Sequence, residues 1–355
     1  MIRIVLAYSG SLEGSAAIQW LRDRHSAEIV AVTLDLGQGR ELEVIRDRAL
    51  AIGAQRAHVL DTRDEFAQEY VVPALRAGAV HEGRVPMALA LSRPLIARKL
   101  VEIAAIERAD AVAHTGHATG GASQLDRLLS TLAPSLQVMT PARSWAVGSA
   151  DLLAFARANG LGTAALDSAR IESNFWGRSL RQSVGGAVPA SFVARAPENC
   201  PAEPAFVDIA FVRGVPTALN GVVLPLGELV ASLGMLAATH GVGHIGNERL
   251  LCEAPAAVLL HAAHCELTRV ATSPDVEPFS AAARLAYVDL IEGARWFSPL
   301  REGLDAYFGV VQARVNGHVR LRLFKGEYAT ITSELMQTPA DTTAALRLVP
   351  LSAQH

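Results

Sequence analysis

Nine residues near the start of the chain, Ala7-Tyr8-Ser9-Gly10-Ser11-Leu12-Glu13-Gly14-Ser15, have the make-up of an anion cradle. Small residues let backbone approach a phosphate closely. If a helix begins here, its free N–H groups and dipole supply positive potential. The Ser9 and Ser15 hydroxyls would add donors. The stretch lacks the lysine of G-x-x-x-x-G-K-[ST] and does not read G-x-G-x-x-G, so it is neither a Walker loop nor a dinucleotide fingerprint. The same spacing also serves a plain strand-to-helix turn of small residues.

Other chemistry-bearing residues read more blandly. His114 and His117 stand three apart at the end of a strand pattern, which points them to opposite faces and makes a poor metal pair. His261, His264 and Cys265 fall at i, i+3 and i+4. A metal could use that spacing, but a helix packed against a sheet is the simpler reading. Cys252, after Leu250-Leu251, reads as a small apolar residue. Arg320, Arg322 and Lys325 alternate along a strand pattern and suggest a solvated face. No resident metal site is expected.

The elements that would position the loop alternate strand and helix. Ile2 to Ala7 and Glu28 to Asp35 are apolar, β-branched runs suited to buried parallel strands, and His58 to Asp61 closes a third. Leu12, Ala16, Ala17, Trp20 and Leu21 share one helical face, as do Leu42, Ile45, Ala49 and Ile52 before a stop at Gly53. Asp64 to Ala77 is helical with a possible break at Pro73, and a strong helix runs from Pro94, at its first position, to Arg108. ADAVAHTG and LQVMTP supply two more strands. This rhythm predicts a parallel sheet covered on both faces over residues 1–165. Residues 166–355 form a second, α+β domain. It has strand candidates at Phe206 to Val212 and Arg314 to Phe324, the latter broken by an Asn316-Gly317 turn, and helices at Leu226 to Thr239 and Val258 to Thr268.

Composition narrows the function classes. The chain has 355 residues, half of them hydrophobic, and 32 Lys+Arg against 35 Asp+Glu give a net charge of −3. That balance supplies no counterion-release drive towards nucleic acid. The apolar content excludes a disordered chain. No apolar run reaches the roughly 18 residues of a bilayer span, so no membrane partner is expected. Cys200, Cys252 and Cys265 are widely spaced without a CxxC, arguing against a disulfide framework and for a reducing cytoplasm.

The loop resembles the pyrophosphate loop of the N-type ATP pyrophosphatases, whose usual form is S-G-G-x-D-[ST]-S. Nearly the whole chain resembles argininosuccinate synthases: AYSGSLEGSAAIQWL, TLDLGQGRELEVIRDRALAIGA, VVPALRAGAVHEG, SRPLIARKLVEIA and ADAVAHTG are followed by HGVGHIGNER, CEAPAAVLLHAA and RLRLFKG. The resemblance implies a Rossmann-like nucleotide-binding domain of the HUP/PP-loop type, followed by an α+β synthetase domain. It implies an AMP-forming carbon–nitrogen ligase that uses ATP and Mg2+ on small molecules: a ureido or carboxylate acceptor is adenylated, and an amine then displaces AMP. A homo-oligomer, dimer or tetramer, is implied as well. By the same resemblance Ala7 to Ser15 hold the phosphates, with Ser9, Glu13 and Ser15 as the catalytic groups, and Leu34 and Gly116 line the adenine and ribose side.

The departures from the family pattern are concentrated in the site. The second glycine of the loop is Ser11, which fits only if that position does not need a positive φ. The aspartate is Glu13, and the following threonine is Gly14. Where the family has Y-L-L-G-T-S, this chain has Val85-Pro86-Met87-Ala88-Leu89-Ala90, so a Tyr and a Ser that contact citrulline become Val85 and Ala90. The family's Asn, Asp and Arg in the aspartate loop fall on Ala122, Ser123 and Asp126, or a gap shifted by one gives the Arg role to Arg127. Ser179 is retained; an earlier serine is Arg170, a later tyrosine is Cys252, and Glu248 aligns ambiguously. The expected substrate groups are therefore Ser179, Arg170, Arg93, His117 and Ser123, with Arg84 a further polar handle, in a pocket more apolar than the family's. Unpaired buried polar groups are costly, so losing these partners puts both citrulline and aspartate in question. Two other readings stay open: a catalytically silent nucleotide-binding paralogue, and a PP-loop enzyme acting on RNA, which the net charge disfavours.

Overall fold

The computed structural model describes residues 2–39, 41–116, 121–144, 149–158, 169–182, 192, 195, 197–246 and 250–336. Its first sheet is parallel: β1 (Arg3–Ala7), β2 (Glu28–Asp35), β3 (Arg56–Asp61), β4 (Ala111–Ala113) and β5 (Gln137–Met139), in the order β3-β2-β1-β4-β5. Ile4, Val5 and Leu6 are wholly buried, as expected of a strand covered on both faces. The connections leave β1 for one side and β4 for the other. The sheet therefore has a switch point between these strands, and the crevice outside their C-terminal ends is where a ligand has room.

The covering helices are α1 (Leu12–His25), α2 (Leu42–Ile52), α3 (Arg63–Phe66), α4 (Val72–Arg76), α5 (Ala88–Glu107), α6 (Gly121–Leu132), α7 (Pro141–Ser144) and α8 (Ser149–Ala158). Two expectations change here. The helix expected to start at Pro94 starts at Ala88 instead, after Met87 in the left-handed region (φ 51°). Ala88, Leu91, Pro94 and Leu95 are all buried on it, and this apolar face outweighs the helix-interior cost of Pro94. The break expected at Pro73 is instead a π-helical segment, Ala67–Val71, joining α3 to α4. Proline cannot donate to the carbonyl four residues back. The Glu69 carbonyl instead accepts from Arg301 Nη2 at 3.4 Å.

The second half holds two antiparallel sheets. One is formed by β6 (Ala169–Asn174), β7 (Gly177–Gln182), β11 (His244–Gly246) and β12 (Leu250–Glu253), ordered β11-β12-β7-β6; the other by β8 (Ala205–Val212), β9 (Val215–Leu219), β10 (Val222–Val223), β13 (Gly317–Phe324) and β14 (Glu327–Leu335), ordered β10-β9-β8-β13-β14. The Asn316-Gly317 turn expected inside β13 is a strand start. The Asn316 side chain accepts from Arg213 N and donates to Ala313 O, and the hairpin turns later, at Lys325-Gly326, where both residues have positive φ. Helices α9 (Leu226–Thr239), α10 (Pro255–Ala271), α11 (Glu277–Glu292) and α12 (Pro299–Gln312) complete the domain. Arg320 and Arg322 lie on the exposed side of β13, over the rings of Phe206 and Phe324. No described helix is long and apolar enough to cross a membrane.

His264 is a core residue of α10, and His261 is half-buried one turn before it. The Trp176 ring meets His261 edge-on at 5.8 Å, and the His264 Nε2–H donates to Gln312 Oε1 at 2.8 Å. Burial pushes His261 down to about 3 and His264 to about 4. Among the described residues no group of three His, Cys, Asp or Glu could hold a metal ion. Because the unfolded imidazoles titrate near 6.5, the unfolded chain binds more protons than the native one between about pH 4 and 6.5, so stability falls as pH falls. Each histidine should cost about 2 kcal/mol of stability at pH 5 relative to pH 7.5. Calorimetric unfolding of His264→Gln should lose less stability over that interval than the unsubstituted protein; parallel curves would refute the assignment.

Candidate active site

The nine-residue loop leaves β1 at the switch point and enters α1. Its one positive φ is at Gly10 (76°), where a Cβ would also stand 2.9 Å from Ile45 Cγ1. Ser11 is extended (φ −67°, ψ 156°) and is the N-cap of α1: its Oγ accepts the Gly14 N–H at 3.1 Å. Serine at that position supplies a cap that glycine would not. Glu13 lies in the first turn, where the helix dipole favours its charge. The amides ahead of Gly14 point out of the helix end into the crevice.

Ser15 is placed differently from Ser9. Ser9 is exposed, whereas Ser15 is buried, donating from Oγ to Ser11 O at 2.9 Å while the Tyr8 hydroxyl meets the same Oγ at 2.9 Å. Burial raises the Tyr8 phenol above its ordinary range, which keeps it protonated as the donor. Tyr8 is in turn tied to β2, through Val32 O and the Thr33 hydroxyl. Ser15 thus braces the loop from behind.

A cavity of about 320 Å³ opens beside the loop, lined by Ser9, Gly10, Glu41, Val44, Ile45 and Arg48. Arg48 Nη1 donates to the Gly10 carbonyl at 3.0 Å. Reading the sequence missed this cation, because the RDR of α2 looks like an ordinary solvated face. Its register, one turn after buried Ile45, is the signal that would have found it.

Across the crevice, β2 ends in the rigid loop Leu36-Gly37-Gln38. Gln38 accepts from Leu36 N at 2.6 Å and donates to Leu34 O at 2.8 Å, and Asp35 Oδ1 accepts the Gly37 N–H at 2.8 Å. The tip of the β6–β7 hairpin docks on it through Phe175 N to Leu36 O, 2.8 Å. Asn174 fixes the same tip: it donates to Ala88 O at 2.8 Å and accepts from Trp176 N and Gly177 N. The second sheet is therefore clamped to both β2 and the start of α5, with Leu34 buried near the end of β2.

Register then aligns Glu172, Ser179 and Cys252 in one row across β6, β7 and β12. Arg93 on α5 reaches Glu172 at 2.9 Å, and the Ser179 hydroxyl bonds the Cys252 thiol, whose protonated form burial favours. Arg178 pairs with Glu253 on the other face. Val85 and Ala90 pack partly buried against the core. His114 and Gly116 follow the end of β4; Asp126 of α6 bonds His114 at 2.7 Å and Arg143 of α7 at 2.7 Å. Of the expected substrate residues, the structure brings Arg93 and Ser179 together. His117 and Glu248 lie outside the described residues, as do the side chains of Arg170 and Ser123. Arg84 is exposed in the turn before α5.

Family models place these parts. The arginosuccinate synthase N-terminal HUP domain matches residues 3–162, and the arginosuccinate synthase C-terminal domain matches residues 171–338. Argininosuccinate synthases of Bacillus thuringiensis (strain Al Hakam), Bacillus cereus (strain 03BB102) and Bacillus anthracis are each 40% identical over 342 residues, covering 91% of this chain and 85% of theirs. This chain belongs to the argininosuccinate synthase family. It is an ATP-using, carbon–nitrogen-forming ligase of that type, acting on small molecules, with a HUP domain ahead of the family's C-terminal domain. A tRNA methyltransferase subunit structure from Methanocaldococcus jannaschii, 12% identical, covers 47% of this chain and 92% of its own at a TM-score of 0.30, too low to bear on the fold.

The clamp on the Leu36–Gln38 loop is open to test. Gly37 has φ 75°, and a Cβ there would stand 2.7 Å from Phe175 Cβ. Gly37→Ala should destabilise the protein by about 2–3 kcal/mol in denaturant unfolding, and Phe175→Gly, which removes the opposing Cβ, should cost less in that background than on its own. An unchanged midpoint for Gly37→Ala would show that the clamp is loose.

Proposed function

We propose that this family member adenylates an acceptor other than free citrulline, and joins it to an amine other than aspartate. The observation that carries the reading is the state of the charges around the crevice. Arg93 is paired with Glu172 and Arg143 with Asp126. The positions that give the family its hydrogen bonds to citrulline hold Val85 and Ala90, and Cys252 stands where it has a tyrosine. A zwitterionic amino acid entering such a pocket would lose its hydration without gaining equal partners. An acceptor with a ureido or carboxylate oxygen on a mainly apolar body suits it better.

In this reading the acceptor oxygen attacks the α-phosphorus of ATP, the bond to pyrophosphate breaks, and an amine then attacks the activated carbon and releases AMP. The chain's part is binding and alignment. Ser9, Gly10, Ser11, Leu12 and Glu13 face the phosphates through backbone and hydroxyl donors, Gly14 keeps its N–H on the Ser11 cap, and Arg48 stands beside the pyrophosphate side. Tyr8 and Ser15 keep the loop in shape behind them, with Ala7 at its root. Leu34 and Gly116 flank the base and ribose. Mg2+ would spread charge on the phosphates. A cation that arrives with the triphosphate needs only one or two carboxylates of the protein; Glu13 in the first turn of α1 and Glu41 lining the cavity are candidates. Arg170, His117 and Ser123 are assigned to the substrate side by their alignment alone.

Association into a dimer or tetramer is part of the same proposal. Phe279 and Leu285 on α11 and Ile331 and Leu335 on β14 are exposed apolar side chains, and mass photometry measures the outcome directly.

ATP–pyrophosphate exchange over a panel of carboxylates and ureido compounds is the deciding assay. Exchange is expected with acceptors lacking the free amino-acid head group, and weak or none with citrulline. Formation of argininosuccinate from citrulline, aspartate and ATP at the rate of a Bacillus relative would overturn the proposal, and silence over the whole panel would favour a non-catalytic paralogue. Restoring Val85→Tyr together with Ala90→Ser should raise citrulline-dependent exchange by about tenfold.

A further inference from the structure

We infer that Asp126 is a positioning residue for the nucleotide: it fixes the tautomer of His114, and His114 in that tautomer holds the Gly116 backbone at the crevice. This rests on the reading of Gly116 as part of the nucleotide side of the site.

The geometry assigns each proton. The Gly116 N–H, a donor only, lies 3.2 Å from His114 Nδ1, so Nδ1 carries a lone pair. His114 Nε2 lies 2.7 Å from Asp126 Oδ1, an acceptor, so Nε2 carries the hydrogen. The other carboxylate oxygen accepts from Arg143 Nη2 at 2.7 Å, an always-protonated donor. The ring is almost fully buried, and its own backbone N–H is anchored to Met139 O in the neighbouring strand. Burial holds the ring below the usual histidine range, Asp126 pulls the other way, and the Arg143 and Arg93 charges reinforce burial, so the neutral form is the one to consider. A relay then runs from α7 through α6 to the end of β4: Arg143, Asp126, His114, Gly116. It reaches the crevice on the side opposite the phosphate loop. On the alignment anchored at Gln124 the family's arginine falls on Asp126, which makes the relay one of this chain's departures; with the gap shifted by one it falls on Arg127 instead.

The relay makes a prediction whose sign separates it from simple charge. Asp126→Asn offers one oxygen and one NH2. Arg143 needs the oxygen, which turns the NH2 towards His114 Nε2 and drives the hydrogen to Nδ1, donor against donor with the Gly116 N–H. The loop must then shift, and ATP should bind about tenfold more weakly, the order of one net hydrogen bond. If Asp126 acted only through its charge, removing a negative group near a tetra-anionic ligand would tighten binding.

Calorimetric titration of the full-length protein with ATP measures this. Asp126→Asn is expected to weaken binding while its unfolding midpoint stays within a few degrees, and Asp126→Glu to restore most of it. In a His114→Asn background, where the amide oxygen accepts from Gly116 without help, Asp126→Asn should change the affinity by less than about twofold. Nitrogen NMR of the nucleotide-free protein should show His114 with Nε2 protonated and Nδ1 bare, exchanged in Asp126→Asn. Equal or tighter ATP binding by Asp126→Asn, or an unprotonated Nε2 in the unsubstituted protein, overturns the inference while leaving the nucleotide reading intact. Failure of the unsubstituted protein to bind ATP at all overturns that reading and the inference with it.

Discussion

The crevice depends on a backbone hydrogen bond between two sheets. Where β2 ends, the Leu36 carbonyl has left the parallel ladder, and the Phe175 N–H at the hairpin tip has no strand partner of its own; each satisfies the other at 2.8 Å. The Asn174 side-chain amide adds a second tie, to the Ala88 carbonyl. Because the Phe175–Leu36 bond joins backbone to backbone, the distance between the first sheet and the β6–β7 surface is set by main chain. The row Glu172, Ser179, Cys252 and the α5 residue Arg93 inherit their placement from it.

Within that frame the site divides by electrostatics. On the phosphate side, positive potential comes from helix-end amides, with Arg48 bound to the Gly10 carbonyl. On the side proposed for the substrates, Arg93 and Arg143 are matched by carboxylates of the protein itself. One half is prepared for an anion, and the other has little unsatisfied charge to offer. That asymmetry is set by the Glu172 and Asp126 carboxylates as much as by the loss of tyrosine and serine.

The nucleotide half was legible in the sequence because its strands are apolar runs and its loop is a run of small residues. The clamp was less so. β6 and β7, ARIESN and GRSLRQ, show no alternation, since one face meets α5 and the crevice while the other carries the Arg178–Glu253 pair, so polar groups are needed on both. α11, α12 and β14 went unread for a related reason: their apolar residues, Phe279, Leu285, Val310 and Ile331 among them, are partly exposed, which blurs the helical and strand periods. Pro94 misled because proline is the strongest local punctuation, yet a buried face extending two turns ahead of it decided where α5 begins. The roles of Ser15 and Asp126 depend on which way a hydroxyl and a carboxylate point, and spacing carries no information about that.

The Ser11 cap has a consequence for how such a loop can drift. A Cβ on Gly14 would sit 3.1 Å from Ser11 Oγ and 3.0 Å from the Tyr8 ring, so the oxygen that caps the helix takes the space a threonine would occupy. Returning Gly14 alone to threonine crowds the cap, and returning Ser11 alone to glycine strips it from a helix whose third residue is already the poorest helix former short of proline. Either reversal passes through a less stable intermediate, so the two substitutions are entrenched as a pair and would be expected to come and go together in descendants of this lineage.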